Sequence, residues 1–189
     1  PDIEILTNRS LDKSDDTNRF IQLSLHTQET NNKDRLITNL GYGYRELSDD
    51  NSFMYGANAF IDIESEGHMR ASLGLEAKGK ILDLNANLYE AISGKETVGG
   101  VNEEVLSGYQ LNLTTQIPYM PWSTLNIQNY SFESIKATND TEGNKISLEM
   151  NLTPTLQFDI SQDFSDTTGV DDETDFKVSL RYPPSENKP

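Results

Sequence analysis

RLITNLGYGYR (residues 35–45), ELSDDNS (46–52) and FMYGANAFIDI (53–63) together decide the fold of this chain. In the first and third segments, apolar or aromatic residues alternate with small, polar or charged ones. The apolar series consists of Leu36, Leu40, Tyr42 and Tyr44, followed by Phe53, Tyr55, Ala57, Ala59, Ile61 and Ile63. The opposite series consists of Asn39, Gly41, Gly43 and Arg45, followed by Gly56, Asn58 and Asp62. Because successive side chains of a strand point to opposite faces, the pattern predicts an antiparallel hairpin with one apolar and one polar face.

The same alternation recurs along the chain and predicts eleven strands. Their expected bounds are residues 2–6, 20–28, 35–47, 53–64, 69–77, 82–92, 106–117, 123–134, 145–153, 156–164 and 175–182. No segment shows a sustained helical period, and consecutive antiparallel strands are the simplest arrangement of such a series. The sequence therefore predicts an all-β protein with one antiparallel, up-and-down sheet.

The connections from the fifth strand onward are alternately short and long. The short ones are 78–81, 118–122 and 154–155, and the long, polar ones are 93–105, 135–144 and 165–174. Short turns on one rim and long loops on the other are typical of an outer-membrane β-barrel. Tyr119, Trp122 and Tyr182 lie at strand ends, where aromatic side chains form a girdle at the membrane interface.

Composition excludes several classes of function. The chain has 15 Lys and Arg residues against 31 Asp and Glu, a net charge of −16, which argues against a nucleic-acid partner. It has no cysteine, so disulfide and thiolate–metal frameworks are excluded. Periodicity alone leaves two architectures open. In a soluble β-sandwich the apolar faces pack together, whereas in a transmembrane barrel they contact lipid and the polar faces line a lumen.

Several ordered runs resemble the β-domain of the inverse autotransporters, the intimin/invasin family of bacterial outer-membrane adhesins. NLGYGYR (39–45), GANAFID (56–62) and RASLGLE (70–76) are similar to the family's N-L-G-x-G-x-R, G-x-N-x-F-x-D and R-x-x-L-G-x-E strands. ISG (92–94), the Gly-Tyr pair at 108–109, IPYMP (117–121) and NLTP (151–154) follow in the family's order. Together they span residues 39–182.

The resemblance implies a twelve-stranded barrel with a periplasmic N-terminus, in which the strands found here are the second to the twelfth. We therefore expect a further strand ahead of residue 1, a barrel domain over residues 1–183 and a tail or linker at 184–189. The implied function is to anchor and display a surface segment in the outer membrane of a Gram-negative-type bacterium. The implied partners are outer-membrane lipid, the barrel-assembly machinery and a C-terminal passenger. The alternatives are a stand-alone porin-like or structural barrel and a soluble β-sandwich interaction protein.

The predicted lumen face carries Arg45, Asn58, Asp62, Arg70, Glu76, Asp83 and Asn85. Glycines on the same face (Gly41, Gly43, Gly56 and Gly74) would leave room for the larger inward side chains. We expect no catalytic, cofactor or metal site. His26 and His68 have no neighbouring ligand in the sequence, and the acidic runs at 49–50 and 171–173 lack the spacing of a calcium loop.

Overall fold

The structure, a computed structural model, describes residues 4–30, 33–94, 96–98, 101–134 and 140–180. Thirteen strands and no helix lie within these ranges: β1 Glu4–Lys13, β2 Thr17–Thr30, β3 Lys33–Leu47, β4 Met54–Glu64, β5 Met69–Lys78, β6 Leu82–Ala91, β7 Glu96–Val98, β8 Val101–Glu103, β9 Ser107–Ile117, β10 Met120–Glu133, β11 Thr141–Asn151, β12 Leu156–Ser165 and β13 Glu173–Leu180. Accordingly, this part of the chain offers no helix of the length and apolarity that crossing a bilayer requires.

Eleven of the strands form one antiparallel sheet in chain order, β1-β2-β3-β4-β5-β6-β9-β10-β11-β12-β13. The all-β, up-and-down prediction is confirmed. Among the described residues β1 and β13 pair on one side only, so the sheet has two edges. Two details differ from the prediction. The first strand extends over Glu4–Lys13 rather than residues 2–6, and it contains a bulge between Ser10 and Asp12. Its full length is hard to recognise in the sequence because its alternation is weak. The predicted loop at 93–105 contains the hairpin β7–β8.

The two rims of the sheet differ in their connections. One, which we call the short-turn rim, carries residues 14–16, 48–53, 79–81, 118–119 and 152–155. The other, the long-loop rim, carries residues 65–68, 92–106, 134–140 and 166–172. The predicted asymmetry therefore holds from β5 onward. It does not extend to β3–β5, where the connection at 48–53 is longer than that at 65–68.

The sheet has no apolar core. Among the described residues, Phe20 is the one buried large apolar side chain, whereas Leu73, Leu75 and Leu88 are more than 60% exposed (63%, 65% and 62%). A β-sandwich needs a second sheet whose inner face covers these side chains. The described strands provide one large sheet and a separate two-stranded hairpin, so the sandwich alternative is wrong.

Candidate functional site

The strand register places all seven predicted lumen residues on one face of the sheet. The register partners that fix this placement are Arg45 with Gly56, Gly56 with Glu76, Glu76 with Asn85, Asn58 with Gly74, Asp62 with Arg70 and Lys78 with Asp83. We call this surface the polar face. The opposite surface, the apolar face, carries the series Tyr42, Ala59, Leu73 and Leu88.

Arg45 and Glu76 form the best-covered ion pair of the predicted set. Arg45 Nε donates to Glu76 Oε1 over 2.6 Å, and Lys78 Nζ lies 3.3 Å from Glu76 Oε2. The Arg45 guanidinium also stacks on the Phe20 ring, 4.7 Å from its centroid. Glu76 is 9% exposed, so its charge depends on these two cations.

Asp62 and Arg70 form a second pair on the polar face, nearer the long-loop rim. Arg70 Nη2 lies 3.1 Å from Asp62 Oδ2, and the Asn39 amide donates to Asp62 Oδ1. The Arg70 guanidinium lies over the Tyr89 ring at 4.7 Å. As at Arg45, a guanidinium contacts both a carboxylate and an aromatic ring, but Asp62 lies on the adjacent strand, whereas the Arg45–Glu76 contact crosses over Gly56 of β4.

Glycines make room for the larger side chains of the polar face. A Cβ on Gly41 would overlap the Phe60 ring, one on Gly43 would overlap Phe20, and one on Gly56 would lie 2.6 Å from Glu76 Cγ. These approaches show that the glycines leave space for Phe60, Phe20 and Glu76, and the lumen position of this face stays a prediction. Gly74 similarly adjoins the amides of Asn58 and Asn87. Asp83 and Asn85 share the polar face, and the described part of the chain shows no ion pair for Asp83.

Sequence reasoning missed a buried cluster at the long-loop end of the polar face. Arg35 is 6% exposed; its Nη1 donates to Glu64 Oε1 over 2.8 Å and its Nη2 to Glu103 Oε1 over 2.7 Å. His68 is 5% exposed, and its Nε2 lies 3.6 Å from Glu103 Oε2. Neither His68 ring nitrogen hydrogen bonds to a described residue. Because Glu103 lies far from Arg35 in sequence, only the strand order brings them together.

A cavity of about 680 Å³ lies against the polar face of β1–β6. Asn58, Asp62 and Arg70 line it, and His68 and Val105 do so at its long-loop end. Arg45 and Glu76 are not among its lining residues, so the predicted set divides into cavity-lining members and members packed nearer the short-turn rim.

The apolar face forms a belt that is oblique to the strand register. Following the register from Tyr42 leads through Ala59, Leu73, Leu88 and Tyr109 to Ser131 and Glu142. On β10 and β11 the apolar residues, Leu125 and Leu148, lie about six residues nearer the short-turn rim than that row. The belt thus shifts by roughly one residue per strand, which at about 3.3 Å rise and 4.8 Å strand spacing corresponds to strands tilted by about 35°. Membrane barrels have this tilt.

The predicted girdle residues differ in placement. Tyr119 has a left-handed backbone conformation (φ 65°) in the turn at 118–119, and its side chain is fully exposed. Trp122 is 41% exposed near the same rim. Tyr182 lies outside the described residues. Their membrane-interface role stays a prediction.

One carboxylate in each acidic run accepts hydrogen bonds from residues nearby in the sequence. Asp50 accepts hydrogen bonds from the Ser48 and Ser52 hydroxyls, both at 2.7 Å, and these bonds lower the pKa of its carboxyl to about 2. Asp172 Oδ1 accepts from the Ser165 backbone amide at 3.1 Å. Among the residues with described positions, no three His, Cys, Asp or Glu side chains are grouped as metal ligands.

The fold, the oblique belt and the exposed apolar face define an outer-membrane β-barrel. The sequence model described as the inverse autotransporter β-domain matches residues 3–187, and the chain belongs to that family of Gram-negative outer-membrane proteins. It is a family of translocator and adhesin domains rather than of enzymes.

Two relatives come from Escherichia coli (strain K12). The chain is 28% identical over 145 residues to a protein named as an attaching and effacing protein homolog, with 71% of this chain and 48% of the relative covered. It is also 28% identical over 150 residues to the uncharacterized protein YchO, with 74% and 31% covered. The chain thus spans about half or less of the length of these relatives. A structure solved in a study of in-meso crystallization of membrane proteins has the same fold, with a TM-score of 0.76, 17% identity and coverage of 95% of this chain and 76% of that one.

Proposed function

We propose that this barrel anchors and displays a surface segment, with its polar face lining the lumen and its apolar face contacting lipid. The observation that carries the proposal is the family match over residues 3–187. The segregation of charge supports the assignment of the two faces, because lipid cannot solvate the Arg45–Glu76 and Arg70–Asp62 pairs. A further strand between β1 and β13 would complete a closed barrel of even strand number.

The proposal also assigns the rims. The longer connections from β5 onward would lie outside the cell and the short turns in the periplasm. Because β13 runs toward the short-turn rim, a displayed segment after Leu180 must return through the lumen to reach the surface. The cavity against β1–β6 offers part of such a passage.

Orientation of the faces can be tested with cysteine labelling, since the chain has no native cysteine. Asn58→Cys should react with a water-soluble maleimide in reconstituted vesicles exposed to reagent on both sides, and the adjacent Ala57→Cys should react slowly. The reverse pattern would refute the face assignment. Heat-modifiable gel mobility serves as the folding control for both variants.

Display can be tested separately with an epitope tag after Pro189. On intact cells the tag should bind antibody, as should a tag inserted at Gly169 in a long connection. A tag inserted at Gly79 in a short turn should bind antibody only after the outer membrane is permeabilised. A C-terminal tag that behaves like the Gly79 tag would favour the stand-alone barrel instead.

A further inference from the structure

Residues 103–105, which we call the strap, run from the end of β8 toward β9. Their side chains contact β3 and the end of β10, two strands that are far apart in the sheet order. The Arg35 guanidinium on β3 contacts both carboxylate oxygens of Glu103, at 2.7 Å (Nη2 to Oε1) and 2.6 Å (Nη1 to Oε2). The next residue, Glu104, accepts a hydrogen bond of 2.8 Å from the hydroxyl of Ser134, which follows β10.

The two tethers reach strands that are far apart in the sheet order. In the sheet order, β4, β5, β6 and β9 separate β3 from β10. In a barrel of about twelve strands, positions five apart are almost diametrically opposed. Since the Cα atoms of adjacent residues are only about 3.8 Å apart, a strap that reaches both walls through Glu103 and Glu104 must cross the mouth between them.

The strap also borders the cavity. Val105 and His68 both line the long-loop end of the 680 Å³ space, and His68 packs beside Glu103. The Arg35 contact is well covered from water, with side-chain exposures of 7% for Arg35 and 17% for Glu103. A bidentate pair in such a setting is stronger and more directional than an exposed one.

We propose that the strap is a latch that covers the outer mouth of the lumen above the cavity, held mainly by Arg35–Glu103 and secondarily by Ser134–Glu104. This rests on the proposed function, because it requires the polar face to line a lumen. The latch restricts entry of solutes from the long-loop side into the part of the lumen lined by β2–β5. Breaking the Arg35–Glu103 contact frees the strap while leaving the sheet intact.

The test uses His26→Cys, which lines the cavity on β2 and lies outside the latch. Its labelling rate is measured on intact cells with a sulfonated maleimide dye too large for the general porins. Adding Glu103→Gln, which keeps the side-chain shape, should accelerate labelling about tenfold, the loss expected for a charge-assisted hydrogen bond. Ser134→Ala should accelerate it less, and the combination most.

Glu66→Gln is the matched control. It removes the same charge from the same rim, and the described residues give Glu66 no ion pair. Its labelling rate should equal that of the parent. An unchanged or slower rate for Glu103→Gln, in protein that keeps its heat-modifiable mobility, overturns the latch.

A different experiment, the labelling of Ala57→Cys and Asn58→Cys, would refute the proposed function. If Ala57→Cys proves aqueous and Asn58→Cys protected, the polar face does not line a lumen and the latch falls with it. If those two positions behave as expected and only the His26→Cys rates are insensitive to Glu103→Gln, the barrel stands and the latch alone is wrong.

Discussion

The polar face satisfies its charges differently on its two halves. On β3–β5, guanidinium groups contact the carboxylates Glu64, Glu76 and Asp62 of other strands. On β11–β13 the same face carries five carboxylates but only two lysines: Glu149, Asp159, Asp163, Glu173 and Asp175, with Lys145 and Lys177. The one ion pair between these strands within the described ranges is the loose Lys145–Asp175 contact at 3.8 Å.

The carboxylates on the second half use neutral donors instead. Asp163 accepts from the Tyr130 hydroxyl at 2.9 Å, and Asp159 accepts from the Gln157 amide at 2.7 Å. The difference shows that charged side chains neutralise one wall of the proposed lumen, which is also better covered. The other wall keeps a net negative charge, and neutral donors contact its carboxylates. We expect mutations to be costly on the first wall and mild on the second.

The largest expected effect comes from Arg45→Met. It leaves Glu76, which is 9% exposed, with Lys78 as its cation, and it removes the stacking on Phe20. We expect a loss of about 3 kcal/mol in the free energy of unfolding, the magnitude for breaking a buried pair. Urea unfolding in detergent, followed by fluorescence of the single tryptophan, measures it.

Lys145→Met is the matched control on the other wall. Its partner Asp175 is 54% exposed, so the loss should stay below about 0.5 kcal/mol. Equal losses for Arg45→Met and Lys145→Met would show that the two walls do not differ as described.

The next effect tests the packing of the neutralised wall. Gly41→Ala places a methyl group against the Phe60 ring, and overpacking of this kind costs about 2 kcal/mol. Gly94→Ala meets no atom within 4 Å and should change stability by less than about 0.5 kcal/mol. Combining Gly41→Ala with Phe60→Leu should recover part of the loss. Strict additivity of the two substitutions would argue against a direct contact.

A smaller effect probes the neutral donors of the acidic wall. Tyr130→Phe removes the hydrogen bond to Asp163 and should cost about 1 kcal/mol. Tyr109→Phe is the control, because Tyr109 lies on the apolar face and is 38% exposed. If both substitutions were silent, the Asp163 carboxylate would be satisfied by water alone.

The parts of the fold and of the candidate site that the sequence predicts are those encoded by alternation within single strands. The alternation in residues 35–63 identifies β3 and β4, and the shared face of Arg45, Asp62, Arg70 and Glu76 follows from counting by two once the register is known. The length of β1 is underestimated from the sequence because Arg9 falls on its apolar side and Leu6 on its polar side.

The cluster around Arg35 was not predictable in the same way. Glu103 reaches Arg35 through a connection whose path cannot be predicted from alternation. His68 lies in the turn between β4 and β5, where the alternation ends. The Glu104–Ser134 tether likewise depends on the strand order at the rim. Sequence periodicity therefore predicts what one strand presents, while contacts between loops and distant walls require the whole sheet.

The smallest expected effect concerns a carboxyl that accepts hydrogen bonds from two hydroxyl groups and a backbone amide, in a turn outside both walls. Ser48 and then Ser52 lower the pKa of Asp50 to about 2, against an ordinary value of about 3.9, because their donors stabilise the carboxylate. Ser48→Ala should raise that pKa toward the ordinary value, as followed by NMR of the carboxyl carbon. Since the folded-state pKa is depressed, the stabilisation is complete above about pH 4 and is lost as the pH falls toward about 2. Ser65→Ala, in a turn on the opposite rim, should leave the Asp50 titration where it is; a shift there as well would mean that the Asp50 pKa reports the global charge of the protein rather than its own turn.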